Sequence, residues 1–312
     1  MKLAFVFPGQ GSQSVGMMNA FAGNAAVQSV FNEASTALGQ DLWRLVAEGP
    51  AEELSRTVNT QPVMLTAGVA TYRAWIGAGG SPPALLAGHS LGEYAALVAA
   101  DALTLADAVP LVRFRAQAMQ EAVAEGTGAM AAILGLSDDD VRAGCAEAAQ
   151  ATSLVVEAVN FNAPSQVVIA GHKRAVEQAI EACKAKGAKR GILLPVSAPF
   201  HSSLLSPAAA RLAARLDDVA MVAPSIPVIH NVDLSLSATP AAVRHALARQ
   251  AASPVLWADT IRRLADDGVT HIAECGPGKV LAGMVKRSAP GIEAVALTDP
   301  AAIDALLVTM KG

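Results

Sequence analysis

Short apolar runs alternate with alanine-rich segments along much of this chain. Four of the apolar runs cover residues 5–7, 84–88, 228–231 and 271–274. Strands that alternate with helices in this way pack as a mostly parallel sheet with helices on both faces. At 312 residues and 53% hydrophobic composition, the chain can bury a large core. The sequence therefore predicts an α/β fold built on a mostly parallel sheet.

Residues 128–196 show a different pattern of predicted strands and helices. The predicted elements, in chain order, are a strand at 129–134, a helix that begins after Ser137, strands at 154–159 and 166–170 around a turn-rich segment at 160–164, a helix at 173–186 and a strand at 191–196. Strand, helix, strand, strand, helix, strand is the order of a ferredoxin-like unit. We therefore expect a small ferredoxin-like subdomain at 128–196, inserted in a large α/β-hydrolase-like domain of residues 1–127 and 197–312.

Composition and charge exclude several classes of protein. The net charge of −4 and the isoelectric point near 5.9 give no general affinity for nucleic acid or an anionic membrane. No stretch of about 18 or more residues is continuously apolar, and the first apolar run is too short for a signal peptide. The three cysteines form no metal-ligand cluster. We expect a soluble, cytoplasmic protein without a metal, a membrane contact or a nucleic-acid partner.

A candidate nucleophile lies in the segment GHSLG at residues 88–92. An apolar run precedes this segment and a helix-like run follows it at residues 93–98. The order gives the GxSxG pattern its strand-turn-helix context, whereas the pattern alone is also found in purely structural turns. The two glycines allow a sharp turn from which the hydroxyl of Ser90 projects. The helix N-terminus behind it favours developing negative charge.

A serine hydroxyl needs a base within hydrogen-bond reach, because it is a weak nucleophile near neutral pH. Of the six histidines, His201 stands out because it directly follows the predicted subdomain, where a cleft between domains would form. His89 adjoins the serine, but its side chain is expected to point away along the turn. The remaining histidines are interpreted as surface or core-edge residues: His172, His230, His245 and His271.

These residues belong to a set of motifs that resembles a known family. The chain is similar to the malonyl-CoA:acyl carrier protein transacylases of type II fatty acid synthesis, which are related to the acyltransferase domains of polyketide synthases. The similarity spans nearly the whole chain. Its motifs are FPGQGSQ at residues 7–13, GHSLGEY at 88–94, QEAV at 120–123, GTGAM at 126–130, QVVIAG at 166–171, FH at 200–201 and GPGKVL at 276–281.

The resemblance implies a role for each member of the site. In that family the serine accepts the acyl group and the histidine is general base and then general acid, which assigns these roles to Ser90 and His201. Backbone N–H groups of Gln10 and Leu91 would form the oxyanion hole, which stabilises the tetrahedral intermediate. A backbone carbonyl near Gln250 is expected to accept the Nδ1 proton of the histidine, in place of a carboxylate.

Malonyl differs from acetyl by a terminal carboxylate, and burial of that charge without a partner would be prohibitive. Two neighbouring arginines are available, and the family pattern selects Arg115 over Arg113. The planar guanidinium can bind a carboxylate through two hydrogen bonds. Phe200 stands where related acyltransferases are sensitive to bulk beside the α-carbon of the substrate. The resemblance therefore implies selection of malonyl over methylmalonyl.

The implied reaction moves malonyl from malonyl-CoA to the phosphopantetheine thiol of acyl carrier protein through a malonyl-serine ester, without a cofactor. Carrier protein is acidic in this family, so we expect it to dock on a basic patch. One candidate patch contains Lys173, Arg174, Lys184, Lys186, Lys189 and Arg190, and the other contains Lys279, Lys286 and Arg287. A monomer is the working expectation for the oligomeric state.

Other functions stay open at this point. An acyl hydrolase would share the serine, the histidine and the oxyanion hole, although Arg115 and the order of the motifs argue against it. An editing acyltransferase of a polyketide or malonate decarboxylase system would share the same motifs. A carrier-protein-binding module could retain the fold as a relic, but intact Ser90 and His201 disfavour that interpretation.

Overall fold

The computed structural model describes residues 1–196 and 198–311, so Ser197 and Gly312, which bound the predicted large domain, lie outside the described residues. The strands are β1 (Leu3–Phe7), β2 (Leu85–Gly88), β3 (Gly128–Leu134), β4 (Val156–Ala163), β5 (Gln166–His172), β6 (Arg190–Leu193), β7 (Val228–Ile229), β8 (His271–Glu274) and β9 (Glu293–Ala296).

The α-helices are α1 (Ala25–Leu38), α2 (Leu42–Glu48), α3 (Ala51–Ser55), α4 (Thr57–Gly77), α5 (Gly92–Ala99), α6 (Leu105–Glu121), α7 (Asp138–Thr152), α8 (Lys173–Ala185), α9 (Ser206–Asp217), α10 (Pro240–Gln250), α11 (Trp257–Asp266), α12 (Val280–Ser288) and α13 (Pro300–Lys311). Short 3-10 helices cover Asn19–Phe21 and Ser203–Leu205. Within the described residues, no helix is both long enough and apolar enough to cross a membrane.

A parallel sheet in the order β7-β2-β1-β8-β9 forms the centre of the molecule. Every residue of β1 is buried, because helices cover both faces of the sheet. Phe5 and Phe7 point into the larger apolar core, where Phe5 meets the ring of Trp75 on α4. Ala4 and Val6 point into a second core on the opposite face. The predicted α/β fold with a parallel sheet is confirmed.

A second sheet is antiparallel and has the strand order β4-β5-β3-β6. Helices α7 and α8 pack on one face of this sheet around a core that includes Ile133, Val141 and Ile180. Helix α7 begins where the sequence predicts, because Ser137 Oγ accepts a hydrogen bond from the backbone N of Asp140 at 3.2 Å. The other face carries a small apolar cluster that packs against residues after β6.

The C-terminal ends of two strands in this sheet, β4 and β6, differ most from the predicted ones. The turn-rich segment at residues 160–164 lies largely within β4, and the chain turns only after Ala163, with Ser165 at a φ of +59°. Pairing with Val255 extends the strand: its N donates to Val159 O at 2.8 Å, and its O accepts from Phe161 N at 3.0 Å. At the other end, β6 stops at Leu193, since Val196 N folds back onto Leu194 O.

The carboxyl ends of β1, β2, β7 and β8 meet at one edge of the parallel sheet, as parallel pairing requires. Ligands of open α/β sheets bind outside this edge. The small sheet contacts the same region, because β4 packs against α11 and α12. The fold thereby places a cleft between the carboxyl edge of one sheet and the outer face of the other.

Candidate active site

A cavity of about 250 Å³ occupies this cleft. Residues from both sheets line it, including Asn160, Asn162 and Val168 of the small sheet. The site residues predicted from the sequence that line the cavity are Gln10, Ser90, Leu91, Arg115, Phe200 and His201. Gln250 lies behind this wall and is wholly buried.

The candidate nucleophile is held in a strained turn between β2 and α5. Ser90 has a φ of +52°, a conformation that a residue with a side chain rarely adopts. A Cβ atom at Gly88 would lie 1.9 Å from the carbonyl carbon of Gly92, and one at Gly92 would lie 2.0 Å from Phe7 O. Only glycine therefore allows the helix to approach β1 so closely.

Asn231, which follows β7, holds this turn from the neighbouring strand. Its Oδ1 accepts from the backbone N of Ser90 at 2.6 Å, and its Nδ2 donates to Gly88 O at 2.6 Å. Both ends of the turn are therefore tied to one side chain. The backbone strain at Ser90 persists because these contacts fix it.

The hydroxyl of Ser90 lies 2.7 Å from Nε2 of His201. The other ring nitrogen, Nδ1, lies 2.9 Å from the backbone O of Gln250. Because a carbonyl can only accept, Nδ1 carries the proton and Nε2 is free to accept from the serine hydroxyl. Burial, together with the positive charge of Arg115, lowers the pKa of His201 to about 3. The imidazole is therefore neutral and in the tautomer that a general base requires.

Arg115, on α6, is a buried cation with 1% of its surface exposed. Its Nη2 donates to Ser90 Oγ at 3.1 Å and to Gln250 Oε1 at 2.9 Å, while Nη1 donates to Gln61 Oε1 at 2.9 Å. The ring of Tyr94 lies 5.5 Å from the guanidinium carbon. Across residues 1–196 and 198–311, no carboxylate forms an ion pair with it. The arrangement leaves a positive charge available beside the serine.

The two amides proposed for the oxyanion hole flank the same cavity. Gln10 follows β1 and Leu91 follows the serine, and within the described residues neither backbone N donates to another backbone carbonyl. Such unpaired amides are able to bind an oxyanion. Phe200 is half-buried and packs on the core beside the cavity wall. Arg113 lies outside the cavity lining and donates to Gln40 Oε1.

Several buried polar residues contribute to the site although their sequence context did not predict this role. They are Glu93, Gln61, Asn231 and the side chain of Gln250. For two of them a signal exists: Glu93 lies one helical turn after Ser90, and Asn231 follows a strand that ends at the same sheet edge. Gln61 is a polar residue in an otherwise buried stretch of α4, which is a weaker signal.

The five histidines other than His201 lie in different surroundings. The interpretation of His230 as a surface or core-edge residue is wrong, because it is fully buried and its Nδ1 donates to Glu93 Oε1 at 2.7 Å. His89 points away from the serine and donates through Nε2 to Asn162 Oδ1 at 2.8 Å. His172, His245 and His271 lie outside the cavity lining. Among the residues that the structure describes, no cluster of His, Cys, Asp or Glu is arranged to hold a metal.

Comparison with known proteins agrees with this geometry. Residues 4–299 match the model of the acyl transferase domain family. The malonyl CoA-acyl carrier protein transacylase of Salmonella typhimurium is 54% identical over 307 residues, which cover 98% of this chain and 99% of that protein.

Solved structures extend the comparison to the fold. An acyl-carrier-protein S-malonyltransferase from Burkholderia pseudomallei superposes with a TM-score of 0.97 at 60% identity, covering 99% of this chain and 100% of that one. A malonyl-transacylase solved in complex with a type II PKS acyl-carrier protein gives a TM-score of 0.97 at 47% identity, with the same two coverages. This chain therefore belongs to the acyl transferase domain family and, within it, to the malonyl CoA-acyl carrier protein transacylases.

Proposed function

We propose that this protein transfers malonyl from malonyl-CoA to the phosphopantetheine thiol of acyl carrier protein through an ester on Ser90. One observation carries the proposal: the Ser90 hydroxyl lies within hydrogen-bond distance of both a neutral His201 and the buried guanidinium of Arg115. A base on one side and a cation on the other suit an acyl group that ends in a carboxylate. The proposed setting is fatty acid synthesis.

In the first half-reaction, His201 Nε2 takes the proton of the Ser90 hydroxyl as Oγ attacks the thioester carbon of malonyl-CoA. The carbonyl oxygen becomes an oxyanion, which the backbone amides of Gln10 and Leu91 stabilise. When the C–S bond breaks, the proton on Nε2 passes to the departing CoA thiolate. The hydrogen bond from Nδ1 to Gln250 O keeps the ring oriented throughout.

The second half-reaction runs the same steps in reverse with a different thiol. Nε2 takes the proton of the phosphopantetheine thiol, the sulfur attacks the ester carbon, and the proton returns to Ser90 Oγ as the ester bond breaks. No metal or organic cofactor enters either step. The carboxylate of the acyl group stays with Arg115, while Phe200 limits the room beside its α-carbon.

The cysteines are poor rivals for the acyl group. All three are buried, and burial raises the pKa of Cys145 to about 12 and of Cys183 to about 11. Burial also raises the pKa of Cys275 well above the usual range of a thiol. A thiolate is the reactive form, so these side chains stay inert near neutral pH. Their free state also supports the proposed cytoplasmic location.

Intact-protein mass spectrometry after incubation with malonyl-CoA alone tests the proposal. We expect one malonyl group per chain, mapped to Ser90, because the half-reactions of a ping-pong mechanism are separable. Added carrier protein should remove the label as malonyl thioester, whereas release as free malonate at a matching rate would identify a hydrolase. A Ser90→Ala protein that still becomes labelled would exclude the assignment.

We also propose a division of the chain into a large α/β-hydrolase-like domain, residues 1–127 and 197–312, and a ferredoxin-like subdomain, residues 128–196. The antiparallel strand order and the separate core under α7 and α8 support the second part. The parallel sheet and the strand-turn-helix at Ser90 support the first. Limited proteolysis at the junctions tests the division.

A further inference from the structure

A fully buried carboxylate, Glu93, lies under the serine turn and takes no part in the proposed reaction. Its Oε1 accepts from His230 Nδ1 at 2.7 Å. Its Oε2 accepts from the backbone N of Asn231 at 3.1 Å and from Gln250 Nε2 at 2.9 Å. Three donors converge on this one group, and it lies in the first turn of α5. Both the three donors and the helix N-terminus interact favourably with a carboxylate.

The side-chain amide of Gln250 connects this anion to Arg115. Its Oε1 accepts from Arg115 Nη2 at 2.9 Å, and its Nε2 donates to Glu93 Oε2 and to Ser90 O. A guanidinium can only donate, while a carboxylate and a carbonyl can only accept. A flipped amide would mismatch every one of these contacts. Glu93 therefore helps to fix which end of the amide faces the arginine.

The arginine itself presents a problem of charge. An isolated buried cation is costly, and the hydrogen bonds and the ring contact of Arg115 are made with two amides, a hydroxyl and an aromatic ring. Burial lowers its pKa, and the negative charge of Glu93 is one of the influences that oppose the fall. The Glu93 carboxylate is thus separated from the guanidinium by the Gln250 amide and forms no hydrogen bond with it.

We infer that Glu93 is a positioning residue: its carboxylate supplies the counter-charge to Arg115 through the Gln250 amide and leaves the guanidinium open to the carboxylate of the acyl group. The inference rests on the proposed role of Arg115 in binding that carboxylate. A direct ion pair would stabilise the arginine better but would compete with the substrate. With the Gln250 amide between them, Glu93 can stabilise the Arg115 cation without forming an ion pair that would block the substrate carboxylate.

Glu93→Gln tests the charge with little change of shape. The new carbonyl can accept from Gln250 Nε2 and Asn231 N, while the new amide group donates to His230 in its other neutral tautomer. We expect acylation by acetyl-CoA to fall, because the cation is then uncompensated, and acylation by malonyl-CoA to be spared, because the substrate brings its own anion. The malonyl-to-acetyl ratio should rise about tenfold.

Glu274→Gln is the matched control. Glu274 is also a fully buried carboxylate, and its Oε2 accepts from Ala282 N at 2.8 Å, at the start of α12. We expect this variant to keep the wild-type ratio of malonyl to acetyl acylation. An equal rise of this ratio in both variants would overturn the inference.

A stability cycle without substrate separates this inference from the proposed function. Wild type, Glu93→Gln, Arg115→Met and the double variant are unfolded in urea. If Glu93 is the counter-charge, the double variant should lose less unfolding free energy than the two single variants lose together. This comparison holds even if Glu93→Gln is too unstable for the acylation assay. Additive losses overturn the inference. If the stability losses are coupled but the malonyl-to-acetyl ratio does not change, Glu93 is still the counter-charge of Arg115. That result would contradict the proposed role of Arg115 in binding the carboxylate of the acyl group.

Discussion

Nη2 of Arg115 lies 3.1 Å from Oγ of Ser90, so the cation contacts the candidate nucleophile itself. A carboxylate bound by this guanidinium would stand close to the ester that the serine forms. Burial and, after it, the positive charge of Arg115 lower the pKa of His201, the base on the other side of the hydroxyl. One arginine thus affects both the choice of acyl group and the basicity of the histidine.

Arg115→Ala should lose acylation by malonyl-CoA and largely keep acylation by acetyl-CoA. Removal of one partner of a buried charge pair typically costs about 3–5 kcal/mol, which corresponds to roughly two to four orders of magnitude in rate. Arg115→Lys should recover only part, since an ammonium lacks the planar two-point geometry. Acyl-enzyme formation with each substrate measures this. Equal losses for both substrates would mean that the arginine is structural or generally catalytic.

Asn231→Ala should impair both substrates alike, because it releases the backbone of the serine turn and leaves the binding of the acyl group unchanged. The substitution leaves Ser90 N and Gly88 O without their partner, and each unsatisfied buried group costs about 1–3 kcal/mol. Urea unfolding and acylation rates measure the two effects. Asn24→Ala, which removes only the N-cap of α1, is the control for stability loss without loss of acylation. A substrate-dependent loss in Asn231→Ala would contradict this account.

Local sequence predicts those parts of the molecule that local forces determine. The helix start at Ser137 and the strand-turn-helix at Ser90 follow from capping, glycine and apolar spacing, and the structure contains both. Strand β4 was predicted too short, because its extension depends on pairing with Val255, almost a hundred residues away in the chain. The turn preference of Asn160 and Asn162 gave way to that tertiary contact, whereas Pro164 lies in the turn.

The candidate site divides in the same manner. Ser90 has a local signature, whereas His201 became a candidate through its place at a domain junction and through the family resemblance. No sequence signal connects Glu93, Gln61 and the Gln250 side chain to one another, because these residues meet only after three helices pack. The sequence contains these residues but gives no sign that they are neighbours.

Gly92→Ala should prevent the native turn, whereas Gly283→Ala should be tolerated. A Cβ at Gly92 meets the backbone O of Phe7 at 2.0 Å, but one at Gly283, within α12, meets nothing within 4 Å. Alanine in an exposed helix interior gains about 0.5–1 kcal/mol over glycine. Thermal unfolding of both variants checks the contrast. A native-like, active Gly92→Ala would show that the close approach of α5 to β1 is dispensable.

Acid should destabilise the wild type more steeply than His201→Asn. Because burial holds the folded-state pKa of His201 near 3 while the unfolded value is about 6.5, the unfolded state binds the proton first. Stability is therefore lost as pH falls through this window, by up to about 1.4 kcal/mol per pH unit. Urea unfolding at stepped pH measures the difference between the two proteins. Parallel curves would mean that His201 titrates normally.

Charge reversal on α12 should weaken transfer to carrier protein and spare Ser90 acylation. Val280 and Met284 of this helix line the cavity, and Lys279 and Lys286 are exposed beside them in the sequence. Loss of electrostatic steering should reduce the carrier half-reaction about tenfold at low salt. Rates of both half-reactions, measured for the Lys279→Glu/Lys286→Glu protein, test this. Loss of Ser90 acylation as well would point to damage within the cavity.

The second candidate patch provides the comparison for that experiment. Lys184 and Lys186 each already pair with a glutamate, Glu181 at 2.8 Å and Glu147 at 2.6 Å. We expect their reversal to change carrier transfer little. The opposite result would move the docking surface to α8, and no effect from either pair would exclude both patches.

The acceptor of the His201 Nδ1 proton belongs to the main chain, at residue 250. Every amino acid, proline included, has a backbone carbonyl, so no codon change at this position can delete that acceptor. A saturation screen of the gene would therefore register a serine and a histidine and miss the group that orients the ring. Only a chemical change to the backbone, such as an ester or thioamide in place of the peptide bond, could reveal its share in the rate.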